Sequence, residues 1–402
     1  MQINQAHLSY CTNIHAGESW PEHFLALQMY FPAIKLQVSP DQPMGIGLRL
    51  SHIASMELIR EENLLLFKQW LTGQSAYVFT MNGFPYGGFH HIKVKDQVHA
   101  PDWTTKERVE YTIRLFDILE KILPDGIDGG ISTSPLSYRH WFKTKEELGK
   151  ARKIATANVL EVVEKLINLE LTTSKILHLD IEPEPDGLLE TGEEFIGWFE
   201  NELLPAGIDL ITNKFGFVVA RAEEMLKNHV RLCYDVCHFA IGYESHTNVI
   251  SQLHHKGIKI GKIQISAALK AEMEPDVIKR KAIHDTFSKF NEPTYLHQVV
   301  ARKHNGSYIR YPDLPEALQD IENTEVNEWR AHFHVPVFLE DFGNLQSTQN
   351  DITEVLKLQK ANQLSAHLEV ETYTWEVLPK ALKLPLQDSI VRELKWVQEK
   401  LS

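Results

Sequence analysis

Short apolar runs that end in carboxylate or imidazole side chains recur along this chain, separated by stretches of helical length, and this alternation limits what the chain can fold into. Strands that alternate with helices return to their sheet in parallel, because a parallel neighbour needs a long crossover. Candidate strands are His7 to Asn13, Gly45 to Leu50, Ala76 to Asn82, Gly130 to Ser134, Ile176 to Glu182, Val230 to Asp235, Lys259 to Ile265, His332 to Phe338 and His367 to Tyr373. Apolar residues three and four apart predict helices over Thr105 to Ile122, Lys143 to Leu169, Glu193 to Leu204 and Leu384 to Leu401. No low-complexity tract or Pro/Gly/Ser-rich linker divides the sequence, so the expectation is a single α/β domain over residues 1–402, a (β/α)8 barrel.

A closed barrel takes eight strands, and these runs offer one too many. The long segment Ser266 to Ala366 holds the surplus, and an insertion is expected there, over 267–330. Either His332 to Phe338 or His367 to Tyr373 closes the barrel; the reading adopted takes His367 to Tyr373.

The chain has 402 residues, with 41 Lys plus Arg against 54 Asp plus Glu, a formal charge of −13 that repels a phosphate backbone and disfavours nucleic acid as partner. Cys11, Cys233 and Cys237 form no secreted-type disulfide framework. No apolar run reaches the roughly 18 residues of a membrane span, and the first residues lack a basic-then-apolar leader pattern. A cytoplasmic protein that handles a small-molecule metabolite is expected, with homo-oligomerisation left open.

In a parallel barrel the C-terminal strand ends converge on one mouth, where polar residues far apart in sequence become neighbours. Side chains alternate between faces along a strand, so Asp180 shares a face with Glu182, Cys233 with Asp235, and His367 with Glu369 and Glu371. Carboxylates gathered this way repel one another unless a cation lies among them. Candidate metal ligands are Glu182, Asp235, His238 and Glu369, with Gln264 offering a carbonyl oxygen. The donors suit a divalent Mn, Mg, Co, Fe or Zn ion. The plainer alternatives are that Asp235 caps the next helix and that Gln264 is a buried amide serving its neighbours.

Candidate substrate contacts are Asn13 and His15 after the first strand, Asn82, Phe84 and Tyr86 after the third, the His332 and His334 pair, and Glu371. The histidines can equally be packing residues, and the aromatic and glycine run after Asn82 a tight turn. No G-x-S-x-G elbow, G-x-G-x-x-G fingerprint or phosphate loop is present.

With these residues in place, the chain resembles the xylose isomerase-like TIM-barrel superfamily of sugar isomerases, epimerases and abasic-site endonucleases. There a Glu ends strand five, an Asp or Glu followed three residues later by His ends strand six, strand seven supplies a ligand and an acidic residue ends strand eight. Glu182, Asp235 with His238, Gln264, and Glu369 or Glu371 fall into those places. The runs Ser9-Tyr-Cys-Thr-Asn-Ile-His15, Asn82-Gly-Phe-Pro-Tyr86, Glu182-Pro-Glu-Pro185, Cys233-Tyr-Asp-Val-Cys-His238 and Glu369-Val-Glu-Thr-Tyr-Thr-Trp375 are similar to the E protein of the bacterial ebo gene cluster, a metabolite-traffic family. That resemblance adds Trp375 to the substrate contacts.

The resemblance implies a metal-dependent isomerase or epimerase that moves a proton beside a carbonyl, with Glu182 and Glu369 bracketing the substrate. Glu184 stands where xylose isomerase carries a lysine. Two alternatives stay open: a metabolite-binding barrel without turnover, and a metal-dependent phosphodiesterase of the endonuclease type.

Overall fold

The computed structural model describes every residue except His91, Val377, Pro379, Ala381 and Leu382. Among the described residues, eight parallel strands form a barrel: β1 (Ala6–Tyr10), β2 (Met44–Arg49), β3 (Ala76–Asn82), β4 (Gly129–Thr133), β5 (Leu177–Ile181), β6 (Val230–Asp235), β7 (Ile260–Ile265) and β8 (His367–Val370). β8 lies between β7 and β1, with Leu368 opposite Ile263 and His367 opposite His7. The circle is completed where Cys11 bridges to Gly47 and Thr12 Oγ1 accepts the Arg49 N–H at 2.8 Å.

Helices return each strand to the sheet. Lys106–Ile122 buries Val109, Leu115, Phe116 and Leu119 on one face, and Lys145–Thr173 starts at a reciprocal cap between Thr144 and Glu147. The helix Trp20–Val38 starts the same way, at Ser19 and Glu22, but leaves Leu25, Met29 and Leu36 exposed and contains Pro32, which blurs its sequence periodicity. Among the described residues no single helix is long and apolar enough to cross a membrane.

The expected strand His332 to Phe338 belongs to a second sheet. β7 runs through Ser266 almost directly into the strand Ala267–Glu272, carrying the chain above the mouth. Ala267–Glu272 pairs antiparallel with Val326–Val335, which pairs in turn with Val299–Lys303. The return strand descends until Val335 faces Ala267 at the barrel rim.

The C-terminal helix Leu386–Leu401 seals the barrel beside β8. Its buried Glu393 accepts from Thr372 Oγ1 at 2.7 Å and from the Val337 N–H at 3.2 Å, tying the barrel to the end of the insertion. Burial outweighs these hydrogen bonds and lifts its pKa from 4.5 to about 7. A carboxyl whose folded pKa is raised favours the fold below its unfolded pKa and loses that contribution as pH rises through the folded value. Between pH 4.5 and 7 wild type should therefore lose about 3 kcal/mol from this group. Urea unfolding across that window should show a flatter stability profile for Glu393→Gln than for wild type, and parallel profiles would contradict it.

Candidate metal centre and pocket

Asp235, the last residue of β6, caps the helix Val236–Ile241 and also faces the mouth. Its Oδ1 accepts from the His238 N–H at 3.2 Å and from Ser266 Oγ at 2.7 Å, while the buried Oδ2 has no hydrogen-bond partner. The capping and cluster readings of this residue thus hold together, one oxygen each. Glu182 follows β5 directly and Glu371 follows β8. Glu182, Asp235 and Glu371 each bring a carboxylate oxygen within 4.8 Å of the other two.

His334 joins them from the descending strand, with a ligand atom within 4.8 Å of those of Asp235 and His238. Its Nδ1 donates to the Glu371 backbone carbonyl at 3.0 Å, which leaves the buried Nε2 bare. Asn13 and Asn82 both donate to Glu371 Oε1 at 2.9 Å and fix that carboxylate.

The charges are poorly matched. Burial, reinforced by Asp235 and Glu184, pushes Glu182 well above the usual carboxylate range, and burial with Glu182 and Asp235 does the same to Glu371. Burial also opposes the ionisation of Asp235, but His238 and His334 beside it and its hydrogen bonds hold its pKa below the usual value. A divalent cation would relieve this repulsion, and the bare Asp235 Oδ2 and His334 Nε2 give it donors. Three carboxylates and one imidazole fit such an ion.

Two expected ligands stand one tier deeper. Glu369 is held by Lys262 Nζ at 2.8 Å, both side chains fully buried, and Gly47 leaves the space for it: a Cβ there would lie 1.7 Å from Glu369 Oε2. Gln264 Oε1 accepts from the Cys233 thiol. Glu371 and His334, expected as substrate contacts, line the cleft and also stand beside Glu182 and Asp235.

His238 and His332 face each other. His238 Nδ1 donates to the Pro183 carbonyl at 2.9 Å and His332 Nδ1 to Gln298 Oε1 at 2.8 Å, an amide oriented by its own 3.0 Å bond to the Pro185 carbonyl. Their Nε2 atoms therefore meet lone pair to lone pair at 3.2 Å, a geometry that calls for a proton or a cation between them. Glu184 lies beside this pair and 2.8 Å from His99 Nε2.

These groups floor a narrow cleft, open to solvent on one side, with about 50 Å³ of free cavity volume. Asn13, Asn82, Phe84, His332, His334 and Glu371 line it. Phe89, Tyr295 and Tyr373 form an aromatic wall with ring centroids 5.0 to 5.2 Å apart. Lys95 at the rim is paired with Asp313 at 2.5 Å. Three expected contacts lie elsewhere: His15 stacks on Tyr30, Tyr86 stacks on His52, and Trp375 packs against Phe338. Tyr373 was within reach of sequence reasoning, since it continues the alternation of His367, Glu369 and Glu371. Tyr295 and Gln298 carried no local signal.

No protein-family model matches the sequence, and no curated protein matches it either. Solved structures do align along its length. They include an IolI protein with a binding zinc atom (12% identity, 98% of each chain, TM-score 0.48) and a D-tagatose 3-epimerase-like protein (10% identity, 98% of this chain and 97% of the other, TM-score 0.49). A third is a xylose isomerase-like TIM barrel protein from Mycobacterium smegmatis in complex with magnesium (9% identity, 98% and 96%, TM-score 0.48).

Removing one partner of a buried ion pair strands the other charge, at a cost of about 3–5 kcal/mol. Lys262→Met should destabilise the barrel by that amount in urea unfolding, and the double variant Lys262→Met/Glu369→Gln should recover most of it. A single variant as stable as wild type would refute the role given to this pair.

Proposed function

We propose that this chain is a metal-dependent isomerase or epimerase of a small polyhydroxylated carbonyl compound, with Glu182, Asp235, His334 and Glu371 as the cation ligands. The observation that carries the reading is the pair of bare buried donors, Asp235 Oδ2 and His334 Nε2, where a cluster of three carboxylates and one of Asp235 with two histidines share Asp235. A divalent cation bound there would polarise a substrate carbonyl and an adjacent hydroxyl.

The chain's own residues supply the rest. Glu182 and Glu371 follow strands three places apart in the barrel and approach a bound substrate from different sides. One carboxylate takes the proton from the carbon beside the carbonyl, and the other delivers a proton to the product. Asn13 and Asn82 hold Glu371 in place through Oε1, leaving Oε2 for this task. Phe84, Phe89, Tyr295 and Tyr373 cover the apolar side of the substrate and keep water out. The pairing of Lys95 with Asp313 favours an uncharged substrate over a phosphorylated one. The similarity of several runs to the E protein of the ebo cluster supports a role in metabolite traffic.

A phosphodiesterase reading is favoured by one observation, the facing Nε2 atoms of His238 and His332 beside Glu184, which suit a further cation. Hydrolysis of bis(p-nitrophenyl) phosphate by metal-loaded protein, without sugar turnover, would select it.

Elemental analysis should find bound divalent metal in wild type and in Lys262→Met/Glu369→Gln, with affinity at least tenfold weaker in Asp235→Asn and Glu371→Gln. Wild type incubated with ketoses and aldoses in D2O should place deuterium on the carbon beside the carbonyl, detected by NMR. Equal metal affinity in all four proteins would sink the ligand assignment.

A further inference from the structure

The opposite end of the barrel carries a second set of buried ligand-type side chains. His178 on β5 and His367 on β8 are almost wholly buried, and Asp128 reaches them from the residue before β4; one ligand atom from each lies within 4.8 Å of the other two. His178 precedes Glu182 by four residues and His367 precedes Glu371 by four, roughly 13 Å along each strand. The two clusters thus occupy opposite ends of the same inward faces.

This second cluster is built from behind. His178 Nδ1 donates to the buried Asp180 Oδ1 at 2.6 Å, which turns its Nε2 lone pair toward Asp128 Oδ2 at 3.5 Å. That Nε2 has no hydrogen-bond partner. His367 Nε2 donates to Asp128 Oδ1 at 3.2 Å, a bond that a bound cation would replace, and Arg231 donates to Asp128 Oδ2 at 2.7 Å. A bare nitrogen facing a carboxylate oxygen is repulsive unless positive charge lies between them. Two donors each about 2.1 Å from a tetrahedral ion stand about 3.4 Å apart, close to these nitrogen–oxygen spacings. A carboxylate behind the imidazole, as Asp180 stands behind His178, is the usual support of a metal-binding histidine. Gly261 and Gly130 make room for that support: a Cβ would lie 1.8 Å from Asp180 Oδ1 at Gly261 and 2.6 Å from Asp180 Oδ2 at Gly130.

We propose that His178, His367 and Asp128 form a structural cation site at the N-terminal end of the barrel, taking a borderline ion such as Zn²⁺. The ion would clamp β5 and β8 to the loop before β4. The site is independent of the pocket reading, since it shares no ligand with it.

The test uses the full chain carrying Asp235→Asn, Glu371→Gln and His332→Gln, which disables both pocket cation positions, with Zn²⁺ binding followed by competition against a chromogenic chelator. This chain should bind one Zn²⁺ and melt at a higher temperature with the ion than without it. Adding Asp128→Asn, or separately His367→Gln, should weaken Zn²⁺ binding at least tenfold and abolish the shift in melting. Zinc-edge X-ray absorption should show two imidazole nitrogens. No Zn²⁺ bound to the pocket-disabled chain would overturn the proposal, because protons alone would then balance the cluster. Binding that neither added variant weakens would overturn it equally.

Discussion

The Lys262–Glu369 ion pair at the centre of the barrel is the interaction around which the rest of the interior is arranged. Barrels of this type usually fill their interior with tiers of branched apolar side chains. Here β5 and β8 instead present three polar tiers each: His178, Asp180 and Glu182 on one, His367, Glu369 and Glu371 on the other. Burying such charges costs several kcal/mol per ion unless each is matched. Lys262 matches Glu369 and reaches the Met81 carbonyl across the barrel, but it leaves the carboxylates above it unneutralised. The ion pair therefore makes a charged interior tenable, while the carboxylates at the mouth remain unmatched.

Space for these tiers comes from glycine. Gly47 on β2 and Gly261 on β7 stand where any side chain would strike Glu369 or Asp180. The barrel exchanges apolar bulk on these strands for charged groups on the facing ones, and outer helices such as Lys106–Ile122 and Lys145–Thr173 supply the apolar burial that the interior gives up.

The insertion is equally part of the site. β7 leads almost without a turn into Ala267–Glu272, and the hydrogen-bonded partner of that strand, Val326–Val335, comes back along it. His332 and His334 therefore reach the mouth in the irregular stretch between the Ala331 and Val335 pairings, held by the bond from the His332 N–H to the Gln298 carbonyl, by the Gln298 side chain and by the Glu371 carbonyl.

Strand ends and side-chain alternation were legible because both are local: a run such as Ile176 to Glu182 announces an apolar strand that finishes on an acid, and Val230 to His238 does the same. Those patterns were enough to anticipate the barrel. They could not choose between Glu369 and Glu371, which share a face two residues apart. The pairing of β8 with β7 sets Glu369 opposite Gln264, and only the folded interior brings Lys262 Nζ to the lower carboxylate. Nor could they bring His334 to Asp235, since that meeting depends on antiparallel pairing between strands far apart in the chain. Local periodicity states which way a side chain points; how high it stands in the barrel, and what it meets there, follows from register and long-range pairing, which only the assembled tertiary structure decides.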